Sequence, residues 1–396
     1  MAHPKPHAIV IPYPYQGHVT PMINLSIRLA SSGFTITFVQ TEFIHHFISK
    51  AQNLVAADVD LFDDARKSGL DMRYQTISDG FPVEFDRDLN FNEYWESMFR
   101  DFLDRVDEIV VRTMKADESS ETLPFLLIAD TFYTWPATIA KKHNMVNVSL
   151  WTEPAIVFSL DYHLELLRQN GHVPYNGYAD SHINYIPGIQ SISIGDLMTY
   201  LQDPEAIPMI TQIANKGFEQ RRAFGLNLTA PSGSNKPSGS VLYISFGSIA
   251  QSNKEEIGEL AHGLLLSEVY FVWVLRPDII GGNGTDILPE GFEDVIKDKG
   301  LIVPWCNQID QPTNRKLVVD DWKIGVDLCD GEHVEREEVA SKISIIMRGE
   351  TSIQMKQDME EVSKKLHDSL DAGGSSNRNF DRFVEDLKAK LCMRNP

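Results

Sequence analysis

The beginning of the chain alternates apolar runs with an amphipathic stretch, and this alternation constrains the fold more than any other feature. Residues 7–13 form an apolar run ended by Pro14, and residues 35–41 are typical of a second strand. Between them, apolar positions recur at helical spacing over residues 19–31, and Gly33 follows. Runs that are apolar on both faces are typical of strands buried in a parallel sheet. The order strand, helix, strand therefore predicts a right-handed βαβ unit, which binds ligands at the carboxyl ends of its strands.

The same alternation continues through both halves of the chain and predicts two domains. Further apolar runs typical of strands cover residues 123–129, 146–151, 240–246, 270–276 and 301–303, and amphipathic stretches typical of helices include residues 92–114, 158–171 and 254–266. The 396 residues, 42% of them hydrophobic, are enough for two cores. We predict an α/β fold of two facing, doubly wound, Rossmann-like domains at 1–225 and 240–396. The C-terminal helix is expected to pack back on the first domain. The Gly-, Ser- and Pro-rich residues 226–239 indicate a flexible linker.

Composition and charge exclude several classes of function. A net charge of −20 disfavours nucleic acid and anionic lipid as partners, because both bind to basic faces. The three cysteines, Cys306, Cys329 and Cys392, have no paired spacing, so neither a disulfide framework nor a zinc site is predicted. No apolar run approaches the roughly 18 residues of a membrane-spanning helix, and the polar first residues are unlike a signal peptide. We therefore expect a cytoplasmic protein.

Two ionisable side chains follow apolar runs of the predicted first sheet. His18 lies in the loop after the first run, with Gln16 and Gly17, and Asp130 follows the run at 123–129. His18 is also compatible with a structural role, capping or lining the first helix. Asp130 is likewise compatible with a helix N-cap. Because the carboxyl ends of parallel strands meet at one edge of the sheet, both residues are candidates for a functional site.

The second half contains two further candidate segments. Ser248 and Gly247 follow the run at 240–246 and precede a predicted helix, where a backbone N–H and a hydroxyl can approach a diphosphate; the same residues are also common in simple turns. The run at 301–303 leads to Trp305, whose planar ring is suited to stacking. Amide and carboxylate side chains suited to hydroxyl recognition follow, in residues 306–311.

Several of these segments resemble the plant UDP-dependent glycosyltransferases, family 1 UDP-glucosyltransferases. Residues 16–21, Gln-Gly-His-Val-Thr-Pro, resemble the family's first loop, and residues 305–308 with 310–311 resemble the two ends of its signature box. The resemblance implies a two-domain fold of the GT-B type. It also implies an enzyme that transfers glucose or a similar sugar from UDP to a hydroxyl of a small, largely apolar acceptor, with inversion at the anomeric carbon. The UDP-sugar is then a co-substrate, and no other cofactor and no metal is expected. The protein is expected to be a monomer.

The resemblance also assigns roles to individual residues. His18 would be the catalytic base, and Asp130 would hold its tautomer and stabilise the imidazolium. Gln16 and Gly17 would lie on the acceptor side. The implied donor-binding residues are Ser248 at the phosphates, Trp305 against uracil, Cys306, Asn307 and Gln308 around the base and ribose, and Asp310 and Gln311 at the sugar hydroxyls.

The chain departs from the family in the middle of the signature box. Only Ile309 stands between Gln308 and Asp310, where the family has a long segment, and a second segment is missing after Ile210. The absent box residues supply hydrogen-bond donors to the departing diphosphate, and each such donor is worth about a hundredfold to a thousandfold in rate. We therefore expect an incomplete second domain and impaired activity. A natural deletion, an error in the gene's exon assignment and a segment simply left out of the sequence would leave the same gap.

Two other classes of function compete with this interpretation. The first is a non-catalytic small-molecule binder that keeps only the acceptor site of the first domain. The second is a nicotinamide-dependent oxidoreductase, which the fold alone would allow. No Gly-x-Gly-x-x-Gly motif follows either leading strand, which disfavours the oxidoreductase.

Overall fold

The structure, a computed structural model, describes residues 5–51, 59–87, 89–116, 125–174, 182–202, 241–245, 252–275, 288–297, 299–303, 316–327 and 334–394. The chain forms two compact units. The first comprises Met1–Asn176, Asp203–Leu228 and Ser376–Pro396, and the second comprises Gly177–Gln202 and Thr229–Ser375. In this division residues 177–202 group with the second unit, and residues 376–396 group with the first. The predicted linker at 226–239 lies outside the described residues.

A five-stranded parallel sheet forms the centre of the first unit, in the order β3-β2-β1-β4-β5. Its strands are β1 (His7–Ile11), β2 (Thr35–Thr41), β3 (Met72–Ile77), β4 (Phe125–Asp130) and β5 (Val146–Leu150). Every residue of β1, β2 and β4 is buried, as the apolar runs of β1 and β4 predict. The sheet is wound in both directions from β1, so the carboxyl ends of β1 and β4 are neighbours.

Helices connect these strands and cover the sheet. They are α1 (Gln16–Ser31), α2 (Glu42–Ala51), α3 (Asp63–Lys67), α4 (Phe91–Arg100), α5 (Phe102–Ala116), α6 (Pro136–Lys142), α7 (Ala155–Tyr162) and α8 (Leu164–Gln169). The helices predicted at 92–114 and 158–171 are each divided in two, at Asp101 and at His163. Apolar periodicity runs through both divisions, so the sequence pattern does not reveal them.

The first helix begins three residues earlier than its apolar pattern predicts. The carbonyl of Tyr15 accepts hydrogen bonds from the backbone N–H groups of His18 and Val19, at 2.9 and 3.0 Å, and these bonds close the first helical turn. Polar residues at the start of a helix contribute nothing to apolar periodicity, which is why the pattern misses them. His18 therefore lies in the first turn of α1 and not in the preceding loop.

The second unit contains a smaller parallel sheet among its described residues. Its three strands, in the order β10-β9-β8, are β8 (Val241–Ser245), β9 (Tyr270–Val274) and β10 (Gly300–Val303). A two-stranded antiparallel ladder is formed by β6 (His182–Ile183) and β7 (Ile192–Ser193). The helices are α9 (Thr199–Gln202), α10 (Lys254–Ser267), α11 (Phe292–Ile296), α12 (Arg336–Met347) and α13 (Gly349–Leu370), with a π-helical turn at Leu317–Asp321.

The second unit has a core of its own, centred on α10. This helix starts with a capping box, in which the Asn253 side chain accepts from the N–H of Glu256 and the Glu256 side chain accepts from the N–H of Asn253. Leu260 and Leu264 pack with Trp273 of β9 and Val339 of α12 in the core. The helices α10 and α12 meet closely at Gly263, because an added Cβ there would lie 2.5 Å from a methyl carbon of Val339.

The last helix, α14 (Ser375–Arg394), packs into the core of the first unit. Phe383 and Leu387 are buried there with apolar residues of α1 and the sheet. The guanidinium of Arg28 lies 3.9 Å over the ring of Phe380 and donates to the Asn377 side chain at 2.7 Å. Both α13 and α14 are too polar to cross a membrane, and no other helix of the described ranges is long and apolar enough to do so.

Candidate active site

A buried histidine and a buried aspartate meet where β1 and β4 end. His18 lies in the first turn of α1, and Asp130 is the last residue of β4. The His18 Nδ1 and the Asp130 Oδ2 are 2.8 Å apart, and the two residues are 6% and 1% exposed. The other carboxylate oxygen, Oδ1, accepts from the backbone N–H of Phe132 at 2.9 Å. This second bond orients the carboxylate, so its direction toward His18 is set by the backbone.

The bond to Asp130 determines which nitrogen of His18 carries the hydrogen in the neutral ring. A carboxylate only accepts hydrogen bonds, so Nδ1 must be the donor. Thr152 places its hydroxyl oxygen 2.8 Å from the same nitrogen, which adds a second oxygen beside the Nδ1 hydrogen. Nε2 is then left with a lone pair, and this nitrogen can take a proton from a substrate.

The surroundings of His18 shift its acid–base equilibrium. Burial by itself lowers the pKa of His18, but the negative charge of Asp130, its hydrogen bond to Nδ1 and the charge of Glu153 together raise the pKa above the ordinary histidine value. The Glu153 Oε1 lies 3.8 Å from Nε2. A raised pKa makes the ring a stronger base than free imidazole once it is neutral.

Aromatic rings surround the pair. Phe132 and Tyr13 lie against the His18 ring, with centroids 4.8 and 5.7 Å away, and Trp95 and Trp151 contact Phe132 in turn. The Tyr13 hydroxyl has no hydrogen-bond partner within the described part of the chain, and burial raises the pKa of Tyr13 well above its usual range. The site therefore combines one base with an apolar wall of flat rings, which suits a small apolar substrate that carries a hydroxyl.

The structure brings together some of the predicted site residues. His18 and Asp130 are in direct contact, and Gly17 lies beside them, exposed, in the first turn of α1. Gln16 is the first residue of that helix. The predicted donor-binding residues all lie outside the described residues: Ser248, Trp305, Cys306, Asn307, Gln308, Asp310 and Gln311. Within the described ranges, no cluster of three His, Cys, Asp or Glu side chains is arranged to hold a metal ion.

Sequence reasoning missed two residues that contact the histidine, Thr152 and Glu153. Both follow β5, which pairs in parallel with β4 and ends beside Asp130, since Asp130 and Leu150 are partners in the ladder. The rule that predicts a functional edge at the ends of β1 and β4 applies equally to the end of β5. The sequence therefore predicts the strand that ends before Thr152. That this strand lies beside β4, and so brings Thr152 and Glu153 to His18, had to be learned from the structure.

Comparison with characterised proteins identifies close relatives among plant enzymes, although no family model matches the chain. UDP-glycosyltransferase 86A1 of Arabidopsis thaliana is 40% identical in an alignment that covers 99% of this chain and 97% of that protein. UDP-glycosyltransferase 86A2 of the same plant is 37% identical over the same shares. A 7-deoxyloganetin glucosyltransferase of Catharanthus roseus is 27% identical, over 98% of this chain and 97% of the relative.

Solved structures share the fold along nearly the whole chain. The Phytolacca americana protein UGT2, complexed with UDP-2fluoro-glucose and pterostilbene, superposes with a TM-score of 0.73 and 17% identity, covering 98% of this chain and all of the other. An anthocyanidin 3-O-glucosyltransferase in complex with UDP gives a TM-score of 0.74 and 16% identity over the same shares. These neighbours confirm the predicted α/β fold of the GT-B type.

The length of the alignment shows that positions are missing inside this chain. The match to the Arabidopsis relative at 40% identity runs over 480 positions, whereas the chain has 396 residues. At least 84 aligned positions therefore have no counterpart here. Because the match covers 97% of the relative, these positions are internal to it. The sequence predicts such gaps in the signature box and after Ile210.

Proposed function

Since this chain belongs to the plant UDP-dependent glycosyltransferases, we propose that it transfers glucose from UDP-glucose to a hydroxyl of a small, largely apolar acceptor, with inversion at the anomeric carbon. Sugar transfer from a UDP-sugar follows from membership of the family. The choice of glucose, the acceptor class and the stereochemistry are our proposal. The observation that carries it is the buried 2.8 Å bond between His18 and Asp130.

The geometry around His18 supports a single-displacement mechanism. The acceptor hydroxyl donates to Nε2, and its oxygen attacks the anomeric carbon of the sugar as the proton moves to Nε2. A new C–O bond forms on one face of the carbon, while the bond to the UDP oxygen breaks on the other and UDP leaves with the electron pair. Asp130 is hydrogen-bonded to Nδ1, so its negative charge stabilises the imidazolium formed in this step.

We further propose that turnover by this chain is slow, because the donor side is incomplete. The leaving UDP gains negative charge, and preorganised donors that meet such charge are worth about a hundredfold to a thousandfold each in rate. Ser248 is a proposed phosphate contact that the chain retains, as are Trp305 for uracil and Asp310 with Gln311 for the sugar. The missing aligned positions support the loss of further donors.

A direct assay tests the proposal. The protein is incubated with UDP-glucose and 7-hydroxy-4-methylcoumarin, and the β-glucoside and free UDP are quantified by chromatography. A second protein carries the missing segments of the 86A1 relative inserted between Gln308 and Asp310 and after Ile210. We expect glucoside from both proteins, with a rate at least about a hundredfold higher after insertion. An α-glucoside would contradict inversion, and absence of product from the completed chain would contradict the acceptor proposal.

The missing positions also support a second candidate function, a non-catalytic binder of small apolar molecules. In this case the site around His18 retains the acceptor, but UDP-sugar does not bind. Calorimetry separates the two candidates, because the binder gives heat with the coumarin and none with UDP-glucose at any concentration tested. Cytoplasmic location, a monomeric state and independence of metals or other cofactors also stay predictions, to be tested by cell fractionation, light scattering and assay with a chelator.

A further inference from the structure

The loop that follows β3 is closed by a buried ion pair. Arg87 and Asp79 are 4% and 2% exposed, and a guanidinium nitrogen lies 2.8 Å from a carboxylate oxygen. The guanidinium also donates to the backbone carbonyl oxygens of Phe85 and Pro82, at 2.8 and 3.3 Å. The carboxylate accepts from the backbone N–H of Phe81 at 3.1 Å. The loop is therefore tied to itself from inside, and the proposed transfer step has no role for this pair.

The two residues that these hydrogen bonds hold on either side of Pro82 form an aromatic pair. The rings of Phe81 and Phe85 are stacked, with centroids 4.3 Å apart and planes inclined by 24°. Both side chains are half-buried, so each keeps part of its surface exposed. Flat apolar surface of this kind is suited to packing against a further aromatic ring. A loop that is ordered before binding also loses less conformational freedom when a ligand arrives.

The aromatic pair lies at the same edge of the sheet as the base. Since β3 pairs in parallel with β2, and β2 with β1, the loop after β3 leaves the sheet at the edge where His18 stands. Two strand spacings, about 10 Å, separate β3 from β1. Ring contacts connect the two places: Phe81 lies 5.8 Å from Tyr94, and the next residue of α4, Trp95, lies 5.1 Å from Tyr13. The wall of flat rings therefore continues from the base to the aromatic pair.

The ion pair contributes more to the shape of the loop than to its net stability. The cost of removing both charges from water offsets most of their attraction, so apolar residues of similar volume often replace such a pair without loss of stability. The hydrogen bonds of the pair are directional, however, and the planar guanidinium fixes several oxygens at once. Apolar residues cannot reproduce this constraint on the loop.

We propose that Phe81 and Phe85 form an outer subsite for a second aromatic ring of the acceptor, and that Asp79 and Arg87 are positioning residues that hold this subsite in place. This inference rests on the proposed function and deepens it. The acceptor then extends from His18, where its hydroxyl donates to Nε2, to the aromatic pair about 10 Å away. An acceptor with a single compact ring system contacts only the inner part of the wall.

Two acceptors that differ by one phenyl ring test the subsite by equilibrium binding, which does not depend on turnover. They are 7-hydroxyflavone and 7-hydroxychromone, each titrated into the protein by calorimetry. The measured quantity is the affinity ratio, the Kd of the chromone divided by the Kd of the flavone. We expect a ratio of about ten in the wild type, because the added ring packs on the aromatic pair. Phe85→Ala should lower this ratio at least about threefold, since it removes one of the two rings.

The positioning role has its own variants. Asp79→Leu combined with Arg87→Met removes both charges together and should keep the urea unfolding midpoint near that of the wild type, while the affinity ratio falls as in Phe85→Ala. Arg87→Lys keeps the positive charge but loses the planar fork, and should lower the ratio in part. Leu89→Ala is the matched control, because Leu89 is an apolar residue of the same loop that is 84% exposed, and it should leave the ratio unchanged.

Three results would overturn the inference, and they differ in what they reject. An unchanged ratio in Phe85→Ala, with both compounds still bound, rejects the outer subsite and leaves the proposed function standing. A ratio that falls in Phe85→Ala but not in the Asp79 and Arg87 variants rejects the positioning role alone. Absence of binding by both compounds rejects the acceptor site itself, and the outer subsite with it.

Discussion

Replacing Asp130 by asparagine should reverse the tautomer of His18. The Asp130 carboxylate accepts two hydrogen bonds, from His18 Nδ1 at 2.8 Å and from the N–H of Phe132 at 2.9 Å. An amide has one accepting oxygen, so it cannot accept both. With the amide oxygen toward His18, the NH₂ group faces the Phe132 N–H, and these buried donors without acceptors cost about 1 to 3 kcal/mol each. We expect the opposite orientation, with the NH₂ group toward His18.

In that orientation Nδ1 must accept, and the ring hydrogen moves to Nε2. The nitrogen that faces the acceptor then has no lone pair to take a proton. General-base catalysis of this kind is worth about a hundredfold to ten-thousandfold, and an equivalent substitution in the Ser-His-Asp triad falls at the upper end. We expect kcat/KM of Asp130→Asn to fall on the order of a hundredfold to ten-thousandfold. The residual activity should persist to lower pH, because loss of the negative charge lowers the pKa of His18.

Nitrogen-15 NMR of the histidine ring reads the tautomer directly and requires no turnover, and glucoside formation gives kcat/KM in the same preparations. Asp107→Asn is the matched control, because Asp107 also bonds a histidine, with Oδ1 2.7 Å from His143 Nε2, at a partly buried position of α5 and α6. We expect the control to leave His18 and the rate unchanged. A His18 that keeps its hydrogen on Nδ1 in Asp130→Asn, with an unaltered rate, would refute the reasoning.

Three further predictions concern stability and can be checked by urea unfolding. The pKa of His18 is raised in the folded state, so the contribution of His18 to the free energy of unfolding is full below the unfolded pKa and is lost as pH rises through the folded pKa. His18→Gln should remove this pH dependence of the free energy of unfolding. An identical pH dependence in the variant and the wild type would contradict the prediction. The carboxylate of Asp79 is 2% exposed and lies 2.8 Å from the guanidinium of Arg87. Arg87→Ala leaves this carboxylate buried without its partner, so it should lower the free energy of unfolding by about 3 to 5 kcal/mol. A loss below about 1 kcal/mol would show that Asp79 becomes solvated instead. Leu387→Ala in α14 should lower the free energy of unfolding by about 2 to 5 kcal/mol, because the Leu387 side chain lies in the core of the first unit. Leu370 of α13 is exposed, so Leu370→Ala is the control and should change the free energy of unfolding little. Equal effects of the two substitutions would argue against the packing of α14 in this core.

The sequence determined the class of fold, and the structure agrees with it. Apolar runs such as residues 7–13 and 123–129 have no polar face, and their alternation with amphipathic stretches favours strands covered on both sides, so a parallel α/β sheet was predicted from the chain alone. The same pattern put His18 and Asp130 at strand ends. Their contact was implied by the family resemblance and is now seen at 2.8 Å.

Exact boundaries within helices were less accessible from the sequence. The start of α1 depends on backbone bonds to Tyr15, and the breaks at Asp101 and His163 interrupt a continuous apolar stripe. In each case local backbone geometry sets the boundary of the helix, and the periodicity of apolar side chains carries no information about it.

The partners of His18 other than Asp130 were decided by tertiary structure alone. Thr152 and Glu153 are more than a hundred residues from His18 in the chain, and they reach it only because β5 pairs beside β4 in register with Asp130 and Leu150 opposite. Strand order and register are set by the packing of the whole sheet, so no local pattern encodes them. The charge that faces Nε2, and with it the basicity of the histidine, is therefore a property of the folded unit.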